Sequence, residues 1–289
     1  MSEGSEGWQM ARRGRGKTKK NKLLLSSNEG TIQEHVDVDK VEKRLRQTAS
    51  DLKCEAFYGT WRDELRMATL ELQQRYLKRK ADSQSLNCSS GQMQCVCYGL
   101  GSFSSCASGR YQLAMLMLLL DALEIRPSDC SVFDPVFSSG EKAVLSRIGL
   151  TVLIENEEGK RQALKPTFFY LMHCGKALYN NLLWKNWSKQ HLTEILIVGN
   201  SFCGMKERTI DREFNRDYRY ISQITAVCKE NLLPCPSHMT DVFSDTAVLT
   251  FPAGDLDKLS ESTWTNPSEP QYEYCKDLEI VCKDRTEII

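Results

Sequence analysis

A chain of 289 residues with 41% hydrophobic and 26% charged residues can bury one sizeable core, and this composition excludes a wholly disordered or fibrous protein. The formal net charge is +0, and the longest apolar run, Leu113 to Leu120, is too short for a membrane-spanning helix of about 20 residues. Twelve cysteines without paired zinc-site spacing indicate a reduced, intracellular protein with no metal site, rather than a disulfide scaffold.

The neutral total hides a basic amino-terminal tail. Residues 1–22 contain seven Lys or Arg and two Glu, so this segment carries +5 and the remainder of the chain −5. Such a tail is typical of a nuclear-localisation signal or a nucleic-acid arm, and equally of a solvated segment without a partner. We predict a disordered basic tail over residues 1–30, and we expect no direct nucleic-acid binding except through this tail.

Apolar residues recur at helical spacing through residues 31–81, which predicts two amphipathic helices. Their apolar stripes are Val38, Val41, Leu45 and Leu52, then Trp61, Leu65, Ala68, Leu72 and Tyr76. We expect both stripes to pack on the main domain, although a helix of another protein would satisfy the same requirement. Residues 82–94 are rich in Ser, Asn, Gln and Gly, which indicates an exposed linker.

Short apolar segments alternate with helical segments through residues 95–254, a pattern that favours parallel strands with right-handed crossovers. We therefore predict an α/β fold with a Rossmann-like, mostly parallel sheet and flanking helices. The predicted strands are 94–98, 131–133, 150–154, 167–172, 194–198 and 246–251, the last at an edge of the sheet. The predicted helices are 106–123, 140–148, 177–184 and 218–231. Residues 255–289 are expected to form an acidic, partly ordered extension.

Ligands of open parallel sheets bind beyond the carboxyl ends of the strands, where this sequence places small and polar residues. Gly99, Gly101 and Ser102 follow the first predicted strand and precede a helix, an arrangement that lets backbone N–H groups approach a phosphate. Asp134 follows the second strand and is the candidate for binding ribose hydroxyl groups. Ser104 replaces the third glycine of the dinucleotide fingerprint, which leaves a structural alternative to ligand binding. In that alternative the glycines only form a tight turn, and Asp134 only stabilises a turn.

Two more residues at strand ends, His173 and Asn200, are candidates for catalysis or ligand contact. His173 offers a base near neutral pH. Its neighbour Cys174 is predicted on the opposite face of the same strand, so the two cannot pair as nucleophile and base. The sequence contains no complete catalytic signature, and neither a cofactor nor an enzymatic activity follows from these residues alone.

Five segments together resemble the sensitivity-to-red-light-reduced (SRR1-like) family in its animal, SRR1-domain-containing form. They are Tyr98-Gly99-Leu100-Gly101-Ser102-Phe103, Val132-Phe133-Asp134-Pro135-Val136-Phe137, Val198-Gly199-Asn200-Ser201-Phe202, and the segments 153–161 and 173–184. The resemblance implies a Rossmann-like domain in cytoplasm and nucleus. It also implies a role in circadian-clock regulation and, in animal and fungal members, in the regulation of haem biosynthesis. It supplies no catalytic residue.

Two functions are open at this point. The first is a regulatory protein whose α/β domain binds a protein partner or a small metabolite, without a membrane, and affects the expression of clock and haem-pathway genes. The second is a transferase that binds an adenosine-bearing cofactor at the glycine turn and Asp134, with His173 or Asn200 at the acceptor.

Overall fold

The computed structural model describes residues 36–82, 92–273, 275 and 278–282. The predicted basic tail, residues 1–30, and most of the predicted linker at 82–94 lie outside these residues. None of the described helices is both long and apolar enough to cross a membrane.

The described residues form one sheet of seven strands. The strands are β1 (Gln94–Tyr98), β2 (Cys130–Phe133), β3 (Thr151–Val152), β4 (Thr167–Leu171), β5 (Ile195–Asn200), β6 (Lys229–Leu232) and β7 (Thr246–Thr250). Their spatial order is β3-β2-β1-β4-β5-β7-β6, with parallel pairing from β3 through β5 and antiparallel pairing of β7 with β5 and β6. The predicted α/β fold with a mostly parallel sheet is confirmed, and the order is loosely consistent with a Rossmann-like sheet.

Two predictions at one side of the sheet are wrong. The strand predicted at an edge, 246–251, lies inside the sheet as β7, between β5 and β6. The helix predicted over 218–231 ends at Thr225, and Lys229–Leu232 form β6. The residues of β6 are mostly polar and none is fully buried, so this edge strand lacks the hydrophobic alternation that marks a strand in sequence. Pairing with β7, rather than local pattern, makes it a strand.

Helices precede the sheet and alternate with its strands. They are α1 (Val38–Lys53), α2 (Ala56–Asp82), α3 (Ala107–Ala122), α4 (Ser139–Arg147), α5 (Lys176–Lys185), α6 (Lys189–Leu192), α7 (Phe202–Glu207), α8 (Asp211–Asp217), α9 (Arg219–Thr225), α10 (Thr240–Phe243) and α11 (Ala253–Leu256). Side-chain caps set several starts: Asp37 accepts from the Lys40 N–H at α1, and Ser138 with Glu141 forms a capping box at α4.

The sheet buries side chains on both faces, as parallel strands require. In β1, Cys95 and Cys97 face a core shared with α1, α2 and α3, whereas Val96 and Tyr98 face a second core shared with α5 and α9. The carboxyl ends of these strands therefore lie between two helical layers, and the loops that follow them are held from both sides.

The amino-terminal helices α1 and α2 pack on the first core. Leu45 and Trp61 are fully buried there. The Trp61 Nε1 donates a hydrogen bond to the carbonyl oxygen of Pro234 at 2.9 Å, and the indole lies edge-on to the ring of Phe243. The apolar stripes of these helices thus find their partner within the chain itself.

Trp61→Ala should lower the free energy of unfolding by about 3–5 kcal/mol, because it opens a cavity and leaves the Pro234 carbonyl without its donor. Chemical denaturation measures this loss. The matched control is Met67→Ala in the same helix, whose side chain is 61% exposed and which should cost about 0.5 kcal/mol or less. Equal losses in the two variants would contradict the docking of α2.

Candidate functional site

A cleft of about 290 Å³ opens beyond the carboxyl ends of β1, β2 and β4. Its wall includes Gly99, Asp134 and His173, so three of the predicted site residues come together there. The other three do not line it: Gly101, Ser102 and Asn200. Among the described residues, no group of three or more His, Cys, Asp and Glu side chains is placed to hold a metal ion.

The Asp134 carboxylate ties two loops together. Its Oδ2 accepts a hydrogen bond from the Gly101 N–H at 2.8 Å, and its Oδ1 accepts one from the Val136 N–H at 3.0 Å. The side chain is buried, so these bonds replace the water that the carboxylate loses. Asp134 therefore has the structural role of a turn aspartate, although each oxygen keeps a second lone pair that a ligand could use.

The turn after β1 requires glycine at two positions. Gly99 and Gly101 have φ angles of +73° and +67°, in the left-handed region that other residues avoid. A Cβ on Gly99 would also lie 2.6 Å from the Cys174 Sγ, so the missing side chain lets the turns after β1 and β4 touch. The Gly101 N–H is already bonded to Asp134. Backbone geometry alone therefore accounts for both glycines.

Ser102 belongs to a hydrogen-bond cluster around the buried carboxylate of Glu141. The Ser102 hydroxyl and the Ser104 N–H donate to Oε1 at 2.8 and 2.9 Å, and the N–H and hydroxyl of Ser138 donate to Oε2 at 3.0 Å. Burial acts most strongly and raises the pKa of Glu141, but the hydrogen bonds together outweigh it and leave the pKa below its ordinary value. Sequence reasoning missed Glu141 as a site residue, although the capping-box spacing Ser138-x-x-Glu141 marks it.

Asn200 is held at the end of β5 by Tyr179 of α5. The buried Tyr179 hydroxyl accepts a hydrogen bond from the Asn200 N–H at 2.8 Å. Two acceptors lie within reach of its single proton, the Asn200 Oδ1, also at 2.8 Å, and the Leu171 carbonyl oxygen. Burial raises the pKa of Tyr179, which keeps the hydroxyl protonated. The Asn200 side chain therefore fastens α5 to the sheet.

The prediction that His173 and Cys174 lie on a strand is wrong. β4 ends at Leu171, and the two residues form the turn into α5, with His173 at a φ of +52°. A non-glycine residue in this region costs about 1–3 kcal/mol, and such residues cluster at functional turns. The exposed His173 ring has its Nε2 2.9 Å from the carbonyl oxygen of Val242, so Nε2 carries the proton and donates it to this bond.

Cys174 joins the turn after β4 to the end of β1. Its Sγ donates to the carbonyl oxygen of Tyr98 at 3.3 Å and lies 3.7 Å from that of Met172. Burial, followed by the negative charges of Asp134 and Glu279, raises the pKa of the Cys174 thiol far above its ordinary value. The residue is therefore a protonated thiol at neutral pH, and a thiol is a poor nucleophile.

The loop between β3 and β4 forms another wall of the cleft through Asn156 and Gly159. The Tyr98 hydroxyl donates to Glu157, whose Oε2 also accepts from the Arg161 Nε at 2.9 Å. Burial and then Glu157 raise the pKa of the Tyr98 phenol. This triplet of side chains, two of which belong to a segment that carries the family resemblance, holds the loop against the end of β1.

The carboxyl-terminal segment supplies the remaining wall of the cleft. Glu279, Ile280 and Val281 line it, and the Asn156 Nδ2 donates a hydrogen bond to the Val281 carbonyl oxygen at 2.6 Å. These three residues belong to the segment 255–289, which was expected only to form a partly ordered extension, and none of them was predicted as a site residue. Their signal in the sequence is weak. A short alternation of apolar and polar residues outside the α/β pattern does not indicate which surface of the protein the segment packs on.

Glu141→Gln should remove a pH-dependent part of the stability while keeping a side chain that can form a capping box. Because the folded-state pKa is lowered, the contribution of the ionised Glu141 is complete above its ordinary pKa of 4.5 and is lost as the pH falls through the folded value. Urea denaturation should show a deficit of about 2 kcal/mol at about pH 7 that shrinks toward about pH 3. The control Glu207→Gln, at an exposed carboxylate, should show no such deficit. A deficit independent of pH would contradict the role given to the charge.

Comparison with known proteins identifies the family of this chain. A family model described as the SRR1 domain matches residues 71–250. An SRR1-like protein of Mus musculus is 43% identical over 204 residues, which cover 65% of this chain and 82% of the relative. An SRR1-like protein of Drosophila melanogaster is 30% identical over 231 residues, 80% of this chain and 75% of the relative.

A plant protein extends the comparison. Protein SENSITIVITY TO RED LIGHT REDUCED 1 of Arabidopsis thaliana is 32% identical over 169 residues, 58% of each chain. No solved structure matches this chain. The match of the domain across more than half of the chain, together with the mouse relative, shows that the chain belongs to the SRR1-like family.

Proposed function

We propose that this protein is an intracellular regulatory protein that acts in the cytoplasm and nucleus on circadian-clock gene expression and on haem biosynthesis. Membership of the SRR1-like family supports a regulatory role, since the name of the Arabidopsis relative refers to a reduced sensitivity to red light. The clock and haem roles are those that the family resemblance implies. The protein exerts them by binding a protein partner or a small metabolite at the strand-end cleft.

The observation that carries this proposal is how the cleft uses its polar groups. Asp134 accepts hydrogen bonds from two backbone N–H groups, the Cys174 thiol is held protonated, and the His173 Nε2 donates to a backbone carbonyl. Within the described part of the cleft, no nucleophilic side chain is hydrogen-bonded to a general base, which is the arrangement that covalent catalysis requires. A cavity of about 290 Å³ whose polar groups are engaged in this way is suited to binding.

A transferase with an adenosine-bearing cofactor is the alternative. Glycines with positive φ after β1 and a carboxylate after β2 occupy the places that such cofactors contact. However, Asp134 is engaged by the N–H groups of Gly101 and Val136, so the Gly101 N–H is unavailable to a phosphate. A ribose would have to share the carboxylate that holds the turn, and the regulatory interpretation therefore has the stronger support.

Leu178→Asp should disable the protein in cells. Leu178 is half-buried, lines the cleft and is the third residue of α5, where a carboxylate is compatible with the helix dipole. In cells depleted of the protein, we expect the wild type to restore the amplitude of a clock-gene reporter and the haem content, and we expect Leu178→Asp to restore neither. The matched control is Ile210→Asp, an exposed apolar residue at the N-cap of α8 outside the cleft, which should restore both.

Full rescue by Leu178→Asp would contradict a role for the cleft. A thermal-shift screen with S-adenosylmethionine, nicotinamide and adenine nucleotides, and haemin separates the two interpretations, because a ligand of the folded state raises its stability. Stabilisation of the wild type by an adenosine compound, lost in Leu178→Asp, would favour the transferase.

Deletion of residues 11–22 should abolish nuclear accumulation, because it removes all seven basic residues of the tail. Fluorescence microscopy of tagged chains measures the nuclear fraction. The matched control deletes residues 2–10, which contain no Lys or Arg, and should leave that fraction unchanged. Nuclear accumulation that survives the deletion of 11–22 would show that the tail is not the nuclear signal.

A further inference from the structure

The carboxyl-terminal segment that lines the cleft shows a burial period of two residues. Leu278 and Ile280 are half-buried and pack against the second core, whereas Glu279 and Val281 are exposed. This period is that of an extended peptide, whose successive side chains point in opposite directions. Residues 278–281 therefore run along one side of the cleft in the manner of a bound peptide.

Two residues of the cleft contact the main chain of this segment. The Asn156 Nδ2 donates a hydrogen bond to the Val281 carbonyl oxygen at 2.6 Å. At Gly175, a Cβ would lie 2.5 Å from the Glu279 Cβ and 2.6 Å from its carbonyl oxygen, so only glycine lets the segment pass this close. The φ of Gly175 is −64°, which any residue can adopt, so backbone conformation does not require glycine here.

The segment has a separate anchor that does not involve the cleft. The Tyr272 hydroxyl accepts a hydrogen bond from the Asn180 Nδ2 at 3.1 Å and lies 2.8 Å from the Asn181 Oδ1, and the Cys275 Sγ lies 3.2 Å from the Tyr218 hydroxyl. Tyr272 and Cys275 thus fasten the chain to α5 and to the junction of α8 and α9 before residue 278. Release of residues 278–281 would leave these contacts in place.

We propose that the surface between Asn156 and Gly175, at the side of the strand-end cleft, is a binding groove for an extended peptide of a partner protein, and that Leu278–Glu279–Ile280–Val281 covers this groove within the same chain until the partner displaces it. This inference rests on the proposed function and names the ligand class of that site. Because the segment is tethered, its effective concentration at the groove is high. A partner peptide must therefore exceed a threshold of affinity or concentration before it displaces the segment.

The chemistry of the partner follows from the contacts of the segment. Two apolar side chains two residues apart fill the positions of Leu278 and Ile280. An acidic residue between them lies beside the first turn of α5, where the helix dipole favours negative charge. The carbonyl group after the second apolar residue accepts the Asn156 hydrogen bond. Main-chain contacts with pockets for alternate side chains are a recurring mode of peptide recognition.

The test uses full-length chains and a fluorescent peptide of residues 276–285. Leu278→Asp with Ile280→Asp in the chain should release its own segment, because a carboxylate is costly in an apolar site. Fluorescence polarisation should then show that the peptide binds this double variant about tenfold or more tightly than it binds the wild-type chain. A peptide that carries the same two substitutions should not bind either chain.

Gly175→Ser provides the matched blocked groove. Serine is a preferred N-cap residue, so α5 should be retained, while its Cβ would collide with any peptide that follows the course of residues 278–281. Added to the double variant, Gly175→Ser should abolish peptide binding without lowering the melting temperature. Undiminished binding would overturn the proposed groove.

A second measurement avoids substitution in the chain. Saturating peptide added to the unmodified full-length protein should increase hydrogen exchange at the amides of residues 278–282. Unchanged exchange with peptide bound, or no binding to the double variant, would overturn the inference. The cell assay is independent of the peptide assay. If Leu178→Asp fails to rescue and no peptide binds, the cleft is regulatory but has another ligand, and the peptide inference is overturned. If the peptide binds and Leu178→Asp rescues fully, the groove exists but the proposed function is overturned.

Discussion

Buried backbone N–H groups at the carboxyl ends of the strands must find acceptors, and carboxylates from neighbouring elements supply them. Asp134 accepts from the turn after β1, and Glu141 accepts from the loop that continues it. Glu230 of β6 accepts from the N–H groups of Phe202 and Cys203 at the start of α7. Each carboxylate joins elements that are distant in sequence, so the shape of the strand-end face depends on these bonds.

Helix α5 applies the same principle with amides. Asn181 donates to the carbonyl oxygen of Glu158 at 2.8 Å, and the Oδ1 of Asn186 accepts from the Ala163 N–H at 2.7 Å, so the loop between β3 and β4 is fixed to this helix. The N-cap of the same helix, Gly175, lies against the carboxyl-terminal segment. One helix therefore positions two walls of the cleft.

This division of roles explains why polar residues concentrate at the strand ends. Most of their hydrogen-bonding capacity is spent on the protein's own backbone, which makes the loops rigid. In the proposed groove, recognition of a peptide depends on two residues that contact its main chain. Asn156 donates a hydrogen bond to it, and Gly175 lets it pass closely because it has no side chain. A rigid groove of this kind binds a preformed shape with little loss of its own conformational entropy.

Hydrophobic periodicity allowed several features to be predicted before the structure. The short apolar run of β1, the helical stripes of α1 and α2, and the glycines of the first turn are local signals, and each corresponds to a local backbone geometry. β6 was not predicted, because an edge strand of mostly polar residues has no hydrophobic periodicity. The turn at His173 was missed because a histidine with a positive φ angle carries no local signal of the kind that a glycine gives.

The sequence by itself determined the α/β class, the mostly parallel sheet, the family and the end of the sheet at which a site would lie, because these follow from the period and order of apolar segments. Only the tertiary structure decided what each polar residue does. Asp134 meets Gly101 across 33 positions, Ser102 meets Glu141 across 39, and Asn156 meets Val281 across 125. Such partners are chosen by the packing of whole elements, which brings together groups that no local pattern relates.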